Sequence, residues 1–267
     1  MDNNPLVTVV ILTMGDAPNV MECLKNQIYQ NFEVIFAREK GIVGAMNKAL
    51  EKAKGEIFVR IDDDVWMGPD WLLELVCFFG IPFVAGCTGP TFVPKDRRQN
   101  RDSIRFAERP HWFLKWLYDG GKFNPGGIRK CGCVSYDSNF EERFENQFLF
   151  PFEPDYLEGT NWAMRTDLIR KVGGFDPAFD GVAEWFDTDV ERKVKKLGYK
   201  LVYSYRAHLS HQLEIGEHYS ERFEGFGRIK NFLRFHWRHS KFHPKMIVFL
   251  ILWIGYFISL NFRRKND

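Results

Sequence analysis

The chain has 267 residues, of which 45% are hydrophobic and 27% charged, and its formal net charge is +2. This composition is ordinary for a globular protein of one large or two small domains, and the near-neutral charge argues against nucleic acid as a partner. Aromatic residues reach 16%, with 26 Phe and 8 Trp. Such richness suits a deep core, a sugar-stacking face or a membrane face without choosing among them.

The cysteines give no sign of a disulfide framework or a metal site. There are five, an odd number, and only Cys131 and Cys133 lie close together. They lack metal-site spacing and a second pair nearby, so we interpret them as reduced thiols in a cytosolic setting. Residues 1–5 are polar and the apolar run after them is short, so no signal peptide is predicted.

Strands and helices alternate over the first part of the chain. Hydrophobic patterning predicts a buried strand at 7–13, a helix at 19–30, a strand at 32–37, a helix at 44–54 and a further strand from Ile57. This β-α-β-α-β alternation predicts a parallel, doubly wound sheet.

Three carboxylates follow the apolar strand that begins at Ile57. Because side chains alternate along an extended chain, Asp62 and Asp64 should point to one side and Asp63 to the other. Their mutual repulsion needs compensation, and a hard divalent cation takes carboxylate oxygens. Ligands of open α/β sheets bind at the carboxyl ends of strands, so the triplet is a candidate metal and phosphate site. The alternative is a polar turn in which one Asp caps the next helix.

The middle of the chain is less regular. A helix is predicted at 71–79 and a strand at 82–87, followed by a long excursion at 94–150 with little regular structure. The charged run at 95–101 favours a solvated loop, and a lid over the acceptor is the alternative.

Regular structure is predicted again in the second half. A helix begins near Thr166, and another runs from Glu184 to Leu197 with Asp187 in its first turn. Carboxylates at this position suit the helix dipole, so capping alone could explain them. A strand at 201–203 follows.

Basic and aromatic residues then alternate ahead of an apolar run: Arg228, Lys230, Phe232, Arg234, Phe235, Trp237, Arg238, Lys241 and Lys245. The run at 246–262 has no charge. This pattern predicts membrane association, by spanning or by lying in the membrane surface, with a core helix as the alternative. More positive charge lies before the run than after it, which would keep the main body on the cytoplasmic side.

Together, the order and spacing of these motifs resemble the GT-A-fold glycosyltransferases of family 2 over about residues 6–212. The motifs are the first strand, 41–53 followed by Gly55-Glu56 and the Asp triplet, Gly159 to Arg165, Gly173 to Asp176, and Asp187 to Asp189 leading to Gly198-Tyr199-Lys200. The resemblance implies an α/β, Rossmann-like nucleotide-diphospho-sugar transferase fold with a mostly parallel central sheet. It implies a nucleotide-sugar half at 1–94 and an acceptor half at 95–212, and we assign 213–267 to a separate tail whose apolar helix, 246–262, is membrane-associated.

The resemblance also implies roles for the acidic residues. Asp62 and Asp64 match the family's DxD motif. Asp64 and His211 would then bind Mg²⁺ or Mn²⁺ bridging the donor diphosphate, with Asp62 and Asp63 on the nucleotide sugar. A divalent cation stabilises the charge that builds up on a departing diphosphate.

A second acidic motif implies the base. Asp187 matches the residue that would take the proton from an acceptor hydroxyl, which predicts inversion. The family often has Glu just before this Asp, where this chain has Phe186. Glu184 compensates for that difference, or is itself the base in the alternative assignment.

Two departures from the family leave the nucleotide base open. Glu39 stands in place of an Asp-rich turn that holds the nucleoside, and Met46 replaces an Arg before Asn47. Glu39 and Asn47 are still assigned to the donor. Asp16 is either a further nucleotide contact or a cap.

Aromatic faces suit sugar rings, so Trp162 and Trp185 are assigned to the sugar or acceptor site. The alternative for either tryptophan is a place in the core. The residues assigned to the sugar or acceptor are Gly159, Thr160, Asn161, Trp162 and Trp185.

The leading hypothesis is an inverting, metal-dependent glycosyltransferase that moves a sugar from a nucleotide-sugar donor to a lipid-linked or polysaccharide acceptor. A nucleotidyl- or phosphotransferase is one alternative, because an acidic strand end with a metal also serves those reactions. A catalytically inactive sugar-nucleotide-binding scaffold is the other.

Overall fold

The structure is a computed structural model that describes residues 4–94, 111–121, 125–134, 150–212 and 225–263. The strands are β1 (Val7–Leu12), β2 (Phe32–Ala37), β3 (Ile57–Asp62), β4 (Val65–Met67), β5 (Val84–Thr88), β6 (Thr91–Phe92), β7 (Trp162–Arg165), β8 (Lys200–Tyr203) and β9 (Leu209–His211). The α-helices are α1 (Pro18–Lys25), α2 (Ile42–Lys52), α3 (Trp71–Val76), α4 (Trp112–Leu117), α5 (Thr166–Lys171), α6 (Phe186–Lys196), α7 (Gly225–His239) and α8 (Pro244–Arg263).

A six-stranded sheet in the order β2-β1-β3-β7-β5-β8 forms the centre of the fold. β1 pairs in parallel with β2 and with β3, and β5 pairs in parallel with β8. β7 lies between β3 and β5 and is antiparallel to both. The predicted α/β fold with a mostly parallel central sheet is confirmed.

The apolar composition of β1 and β3 explains their central position, because strands covered on both faces need apolar side chains on both. Helices α1 and α3 cover one face, where Leu24 and Trp71 pack. Helices α2, α5 and α6 cover the other, where Met46, Ile169 and Val190 pack.

A second, three-stranded sheet in the order β4-β9-β6 adjoins the end of β3. β4 follows β3 after a two-residue turn and pairs antiparallel with β9, so that Val65 faces His211. This pairing carries a residue from far along the chain to the carboxyl end of β3.

Several predicted elements have different bounds in the structure. The helix predicted at 19–30 ends at Lys25, because the Gln27 side chain bonds the carbonyl of Gly68 and the amide of Leu72 and anchors the connection to β2. The helix predicted at 71–79 is α3 followed by a 3₁₀ turn at Cys77–Gly80. The excursion at 94–150 contains α4, which the sequence did not predict; its charged run lies outside the described residues.

Helix α7 packs into the body. The sequence had instead predicted that residues 213–267 form a separate tail. Phe235 is fully buried in the same core as Val190 of α6. Asn231 donates to the carbonyls of Phe179 and Glu184. Phe232 and Phe235 of this segment are buried in the body, so the predicted boundary at 212 does not divide two independent units.

Helix α8 follows α7 and exposes a set of large apolar side chains: Ile247, Ile251, Leu252, Ile254, Tyr256 and Ile258. Among the helices that the structure describes, none is both long and apolar enough to cross a membrane.

Candidate active site

The turn after β3 separates the three adjacent aspartates. The side chains of Asp62 and Asp64 are 18% and 10% exposed, whereas Asp63 is exposed. The sequence predicted that Asp62 and Asp64 would share a side because side chains alternate along extended chain. Residues 63 and 64 form a turn instead, but Asp62 and Asp64 still both approach His211. The contact of Asp63 with the donor stays a prediction.

His211 completes this cluster through the pairing of β9 with β4. Its Nε2 lies 2.9 Å from Asp64 Oδ1 and 3.8 Å from Asp62 Oδ2. Burial lowers the pKa of His211, but the hydrogen bond to Asp64 and the charges of both aspartates outweigh burial and raise the pKa above its usual value. The structure therefore brings together the two residues assigned to a metal.

Arg60 joins this cluster to the second acidic motif. It lies on β3 and is only 5% exposed. One terminal nitrogen lies 2.9 Å from Asp187 Oδ2, and the other lies 3.8 Å from Asp62 Oδ1. The guanidinium carbon also sits 5.1 Å from the centre of the Phe186 ring, within the range of a cation–π contact. A buried cation thus bridges the carboxylates of Asp62 and Asp187.

Asp187 is fixed at the start of α6 through both of its oxygens. Oδ1 accepts from the Thr188 amide at 2.8 Å, and Oδ2 accepts from Arg60 at 2.9 Å. Trp185, the residue just before α6, has φ 72° and ψ 0°, a left-handed backbone that is strained for a bulky residue. Its ring stacks on Phe235 of α7 with the centroids 4.4 Å apart. Trp185 therefore packs against α7, and its contact with substrate stays a prediction.

The alternative base, Glu184, is engaged by the tail. Its Oε1 lies 2.7 Å from Arg228 Nε of α7. Asp187, by contrast, is bonded to Arg60 on the strand that carries the aspartate triplet. Asp187 is therefore the carboxylate that the structure ties to β3.

The segment before β7 also reaches this cluster. Thr160 Oγ1 donates to Asp62 Oδ2 at 2.8 Å. A Cβ on Gly159 would lie 2.9 Å from Asp187 Oδ2 and 3.2 Å from an Arg60 nitrogen. The lack of a side chain at Gly159 therefore lets this segment lie directly against the Arg60–Asp187 pair.

The next two side chains of that segment, Asn161 and Trp162, are buried and have structural partners, so their contact with substrate stays a prediction that the burial does not support. Trp162 is fully buried and donates from Nε1 to Glu191 Oε1 at 2.7 Å. Asn161 is also fully buried; its amide accepts from Trp71 Nε1 and donates to the carbonyl of Ala207. β7 lies inside the sheet with both faces covered, so its side chains fill the core.

The residues assigned to the nucleoside have polar partners at the edge of the sheet. Asp16, whose side chain is 94% exposed, pairs with Arg38 at 2.9 Å. Glu39 lies 3.7 Å from Lys48 Nζ. Their contact with the donor stays a prediction.

Asn47 has a structural use in α2. Its amide donates to the carbonyl of Phe175 at 2.7 Å and accepts from the amide of the same residue at 2.9 Å, so it orders the turn after α5. Met46 is fully buried in the core, which explains why an apolar residue stands where the family often has Arg. The assignment of Asn47 to the donor stays a prediction that these bonds do not support.

Sequence reasoning missed two charged residues of this cluster. Arg60 is a charged residue inside the apolar strand that begins at Ile57. Its place between apolar residues was the only sequence signal that it would be buried. Glu158 precedes Gly159, and burial raises its pKa to about 7, opposed by the charge of His211 and reinforced by that of Asp187. No pattern in the sequence distinguished Glu158 from an ordinary loop carboxylate.

The donors present fit a cation that is shared with a diphosphate. Within the described residues, no group of three or more His, Cys, Asp or Glu side chains is arranged to hold a metal ion alone. Asp64 and His211 supply two adjacent donors. Mg²⁺ and similar cations commonly bind through one or two carboxylates and complete their shell with substrate phosphates and water. A complete protein cage is not needed for that kind of site.

Comparisons with known proteins identify a family and a shared fold. The model of the family described as Glycosyl transferase family 2 matches residues 13–173, more than half of the chain. A comparison with curated proteins found no match.

Solved structures share the fold at low sequence identity. One is a mannosyltransferase from Pyrobaculum calidifontis in complex with GDP-Man and Mn²⁺, with a TM-score of 0.52 and 17% identity, over 90% of this chain and 66% of that one. Another is GalNAc-T7 with UDP, GalNAc and Mn²⁺, with a TM-score of 0.55 and 12% identity, over 88% of this chain and 48% of that one. This chain thus spans slightly under two thirds and about half of their lengths.

Proposed function

Because the chain belongs to glycosyl transferase family 2, we propose that it transfers a sugar from a nucleotide-sugar donor to an acceptor hydroxyl with inversion at the anomeric carbon. The observation that carries the proposal is the bridge formed by Arg60. It joins Asp62, of the aspartate triplet, to Asp187 at the start of α6. A donor-side and an acceptor-side carboxylate thereby meet at the carboxyl end of β3, where ligands of α/β sheets bind.

On the donor side we assign Mg²⁺ or Mn²⁺ to Asp64 and His211. Two solved structures of this fold contain Mn²⁺ with GDP-Man or with UDP and GalNAc, which supports a cation of this kind. Such a cation, when bound, stabilises the negative charge on the departing diphosphate. Thr160 holds Asp62 through a 2.8 Å hydrogen bond and keeps that carboxylate oriented towards the donor.

On the acceptor side Asp187 is the base. It takes the proton from the acceptor hydroxyl while the oxygen forms a bond to the anomeric carbon and the bond from that carbon to the diphosphate breaks. Attack from the face opposite the leaving group inverts the configuration. Base catalysis of this type contributes about 10²–10⁴-fold to the rate.

We also propose that the protein lies on the cytoplasmic membrane surface and that its acceptor is lipid-linked or a glycan. The support is the exposed apolar side of α8, next to the basic and aromatic residues of α7; Trp237 of α7 is 92% exposed. On α4, Trp112 and Trp116 are exposed too, and Trp116 O accepts a hydrogen bond from Lys245 of α8. Aromatic, apolar and basic side chains on adjoining helices are typical of interfacial binding.

The test of the donor site is thermal stabilisation by a panel of nucleoside diphosphates, with and without Mn²⁺. A ligand that binds the native state raises the melting temperature by mass action. We expect a Mn²⁺-dependent rise for one base, lost in Asp64→Ala and kept in Asp167→Ala, whose carboxylate is exposed on α5. No rise with any nucleotide would count against the proposal.

The reaction products separate the proposal from its nearest alternative. A glycosyltransferase releases free nucleoside diphosphate and adds no phosphate to the acceptor. A nucleotidyl- or phosphotransferase instead gives a nucleotide-bearing or phosphorylated product. Mass spectrometry of the acceptor after the reaction decides between them.

A further inference from the structure

We propose that Arg60 is a positioning residue for the transfer reaction, which fixes the Asp187 carboxylate and couples it to the donor-side aspartate Asp62. This inference rests on the proposed function, in which Asp187 is the base. Neither the aspartate motif nor the base motif includes Arg60, which stands inside the apolar run of β3.

The contacts of Arg60 give it a specific geometry. Its two terminal nitrogens face different carboxylates, with Asp187 Oδ2 at 2.9 Å and Asp62 Oδ1 at 3.8 Å. The Phe186 ring packs against the guanidinium, so the planar group is restrained on its face as well as at its ends. A rigid fork of this kind can serve two acceptors at once, which a lysine ammonium on a flexible stem does less well.

The same contacts fix the orientation of the base. Arg60 occupies Oδ2 of Asp187, and the Thr188 amide occupies Oδ1. The Thr188 hydroxyl also donates to Oδ1, at 3.4 Å. Because both oxygens are bonded, the carboxylate cannot rotate without losing hydrogen bonds. The remaining lone pairs therefore point in set directions, and a set direction towards the acceptor hydroxyl is what proton transfer needs.

A structural role alone explains Arg60 poorly. A guanidinium that is 5% exposed is costly to desolvate. In the described part of the chain its Nε is buried without a hydrogen-bond partner, which adds to that cost. Apolar residues of similar volume often replace buried ion pairs with no loss of stability. The position of this cation between two carboxylates of the site is better explained by its role in orienting the Asp187 carboxylate.

Kinetics of two Arg60 variants test the proposal, with Arg165→Gln as the matched control. Arg165 is partly buried on β7, bonds the carbonyls of Val84 and Phe79, and contacts an aromatic ring, but it faces no carboxylate of the site. We expect Arg60→Gln to lower kcat by about 10–100-fold with donor KM changed less than about 3-fold. Arg60→Lys should recover part of kcat, and Arg165→Gln should keep it.

Backbone hydrogen exchange gives a second readout that needs no turnover. The Thr188 amide has Asp187 Oδ1 as its partner, so a loosened carboxylate should expose it. We expect exchange at Thr188 to be about 5-fold faster or more in Arg60→Gln, and near the wild-type rate in Arg60→Lys and Arg165→Gln.

The two readouts separate the possible failures. Unchanged exchange at Thr188, or a kcat of Arg60→Gln no lower than that of the Arg165→Gln control, would overturn the positioning role. If exchange responds as expected but the wild-type protein releases no nucleoside diphosphate with any donor, the Arg60–Asp187 coupling stands and the proposed function fails.

Discussion

At the scale of single residues, the environment of Asp187 distinguishes it from the other acidic residue of its motif. Both of its oxygens are bonded within the site, one to Arg60 and one to the Thr188 amide. Glu184 instead pairs with Arg228 of α7. Substitutions of Asp187 and Glu184 should therefore have different effects on catalysis.

We expect Asp187→Asn to lower kcat by about 10²–10⁴-fold, because an amide cannot accept the acceptor proton. Stabilisation by nucleoside diphosphate with Mn²⁺ should persist, since Asp64 and His211 are unchanged. Initial rates of nucleoside diphosphate release measure the effect. Glu184→Gln is the comparison variant, and a larger loss there than in Asp187→Asn would transfer the role of base to Glu184.

Glu191 is a buried residue of α6 whose protonation is set by its surroundings. Burial and the charge of Asp187 raise its pKa to about 8, although hydrogen bonds from Trp162 and Leu157 oppose the shift. Between its ordinary value of 4.5 and about 8, the folded state then binds more protons than the unfolded state. The free energy of unfolding should therefore fall as pH rises through this range.

Urea unfolding of wild type and Glu191→Gln across this pH range checks the prediction. The variant lacks the titrating group, so its free energy of unfolding should depend less on pH. It should also be less stable by about 1–3 kcal/mol, since its amide cannot accept from both donors. Equal pH slopes in the two proteins would mean that Glu191 is already ionised when folded.

Two residues that the sequence assigned to substrate are buried in the structure for a shared reason. Trp162 and Asn161 have types that suit a sugar site, but β7 is inserted between β3 and β5, and no local pattern reveals which strand becomes central. Arg60 was overlooked because its partner Asp187 is far away in sequence. Asp64 and His211 lie side by side in the structure, yet their joint assignment came from the family resemblance and not from the residues alone.

At the scale of elements, α6 and α7 are held together by a buried charge cluster. Asp189 of α6 is fully buried and contacts Lys193, Arg238 and His239 at 2.7, 3.3 and 2.8 Å. Burial raises the pKa of Asp189, but the bonds from His239 and Lys193 outweigh it and lower the pKa to about 2. The first turn of α6, which carries the proposed base, is thereby tied to the tail helix.

Asp189→Asn should destabilise the protein by about 3–5 kcal/mol, because Lys193 and Arg238 lose the counter-charge of a fully buried carboxylate. Denaturant unfolding at neutral pH measures this loss, and Asp167→Asn, at an exposed position of α5, should stay near wild type. A loss below about 1 kcal/mol, as for exposed ion pairs, would show that the cluster does not hold α7.

The same residue predicts how stability depends on acid. A carboxylate whose pKa is lowered by folding contributes stability above its unfolded pKa and loses it as pH falls through the folded value. The contribution of Asp189 should therefore be lost between its ordinary value of 3.8 and about 2. Asp189→Asn should lack that part of the acid transition, and a full transition in the variant would assign it to other carboxylates.

At the scale of the whole molecule, the alternating β and α pattern of the first 65 residues was enough to predict the sheet, because period and composition report directly on buried strands. The role of the tail was harder to predict. Its basic residues suggested a solvated or interfacial surface, whereas Phe232 and Phe235 are buried in the body. A helix with charges on one side and aromatic rings on the other satisfies both patterns, and only its neighbours decide which surface is covered.

The membrane proposal is tested by sedimentation with lipid vesicles. Deleting 246–267, or replacing Ile251, Ile254 and Ile258 together by Glu, should release the protein from vesicles that contain anionic lipid. Both variants should keep the nucleotide-dependent rise in melting temperature, which shows that they are folded. Persistent vesicle binding of both would place the anchor elsewhere.

The stacking of Trp185 on Phe235 limits the positions at which this chain can be truncated, fused or recombined with a relative. The strained backbone just ahead of Asp187 is supported by an aromatic ring from α7, so chemistry and tail share one folding unit. A recombination joint or a fusion point should be tolerated in the non-helical link between α7 and α8, and not upstream of α7. Exchanging tails between relatives at the end of the sheet would therefore separate the base from the ring that supports its helix.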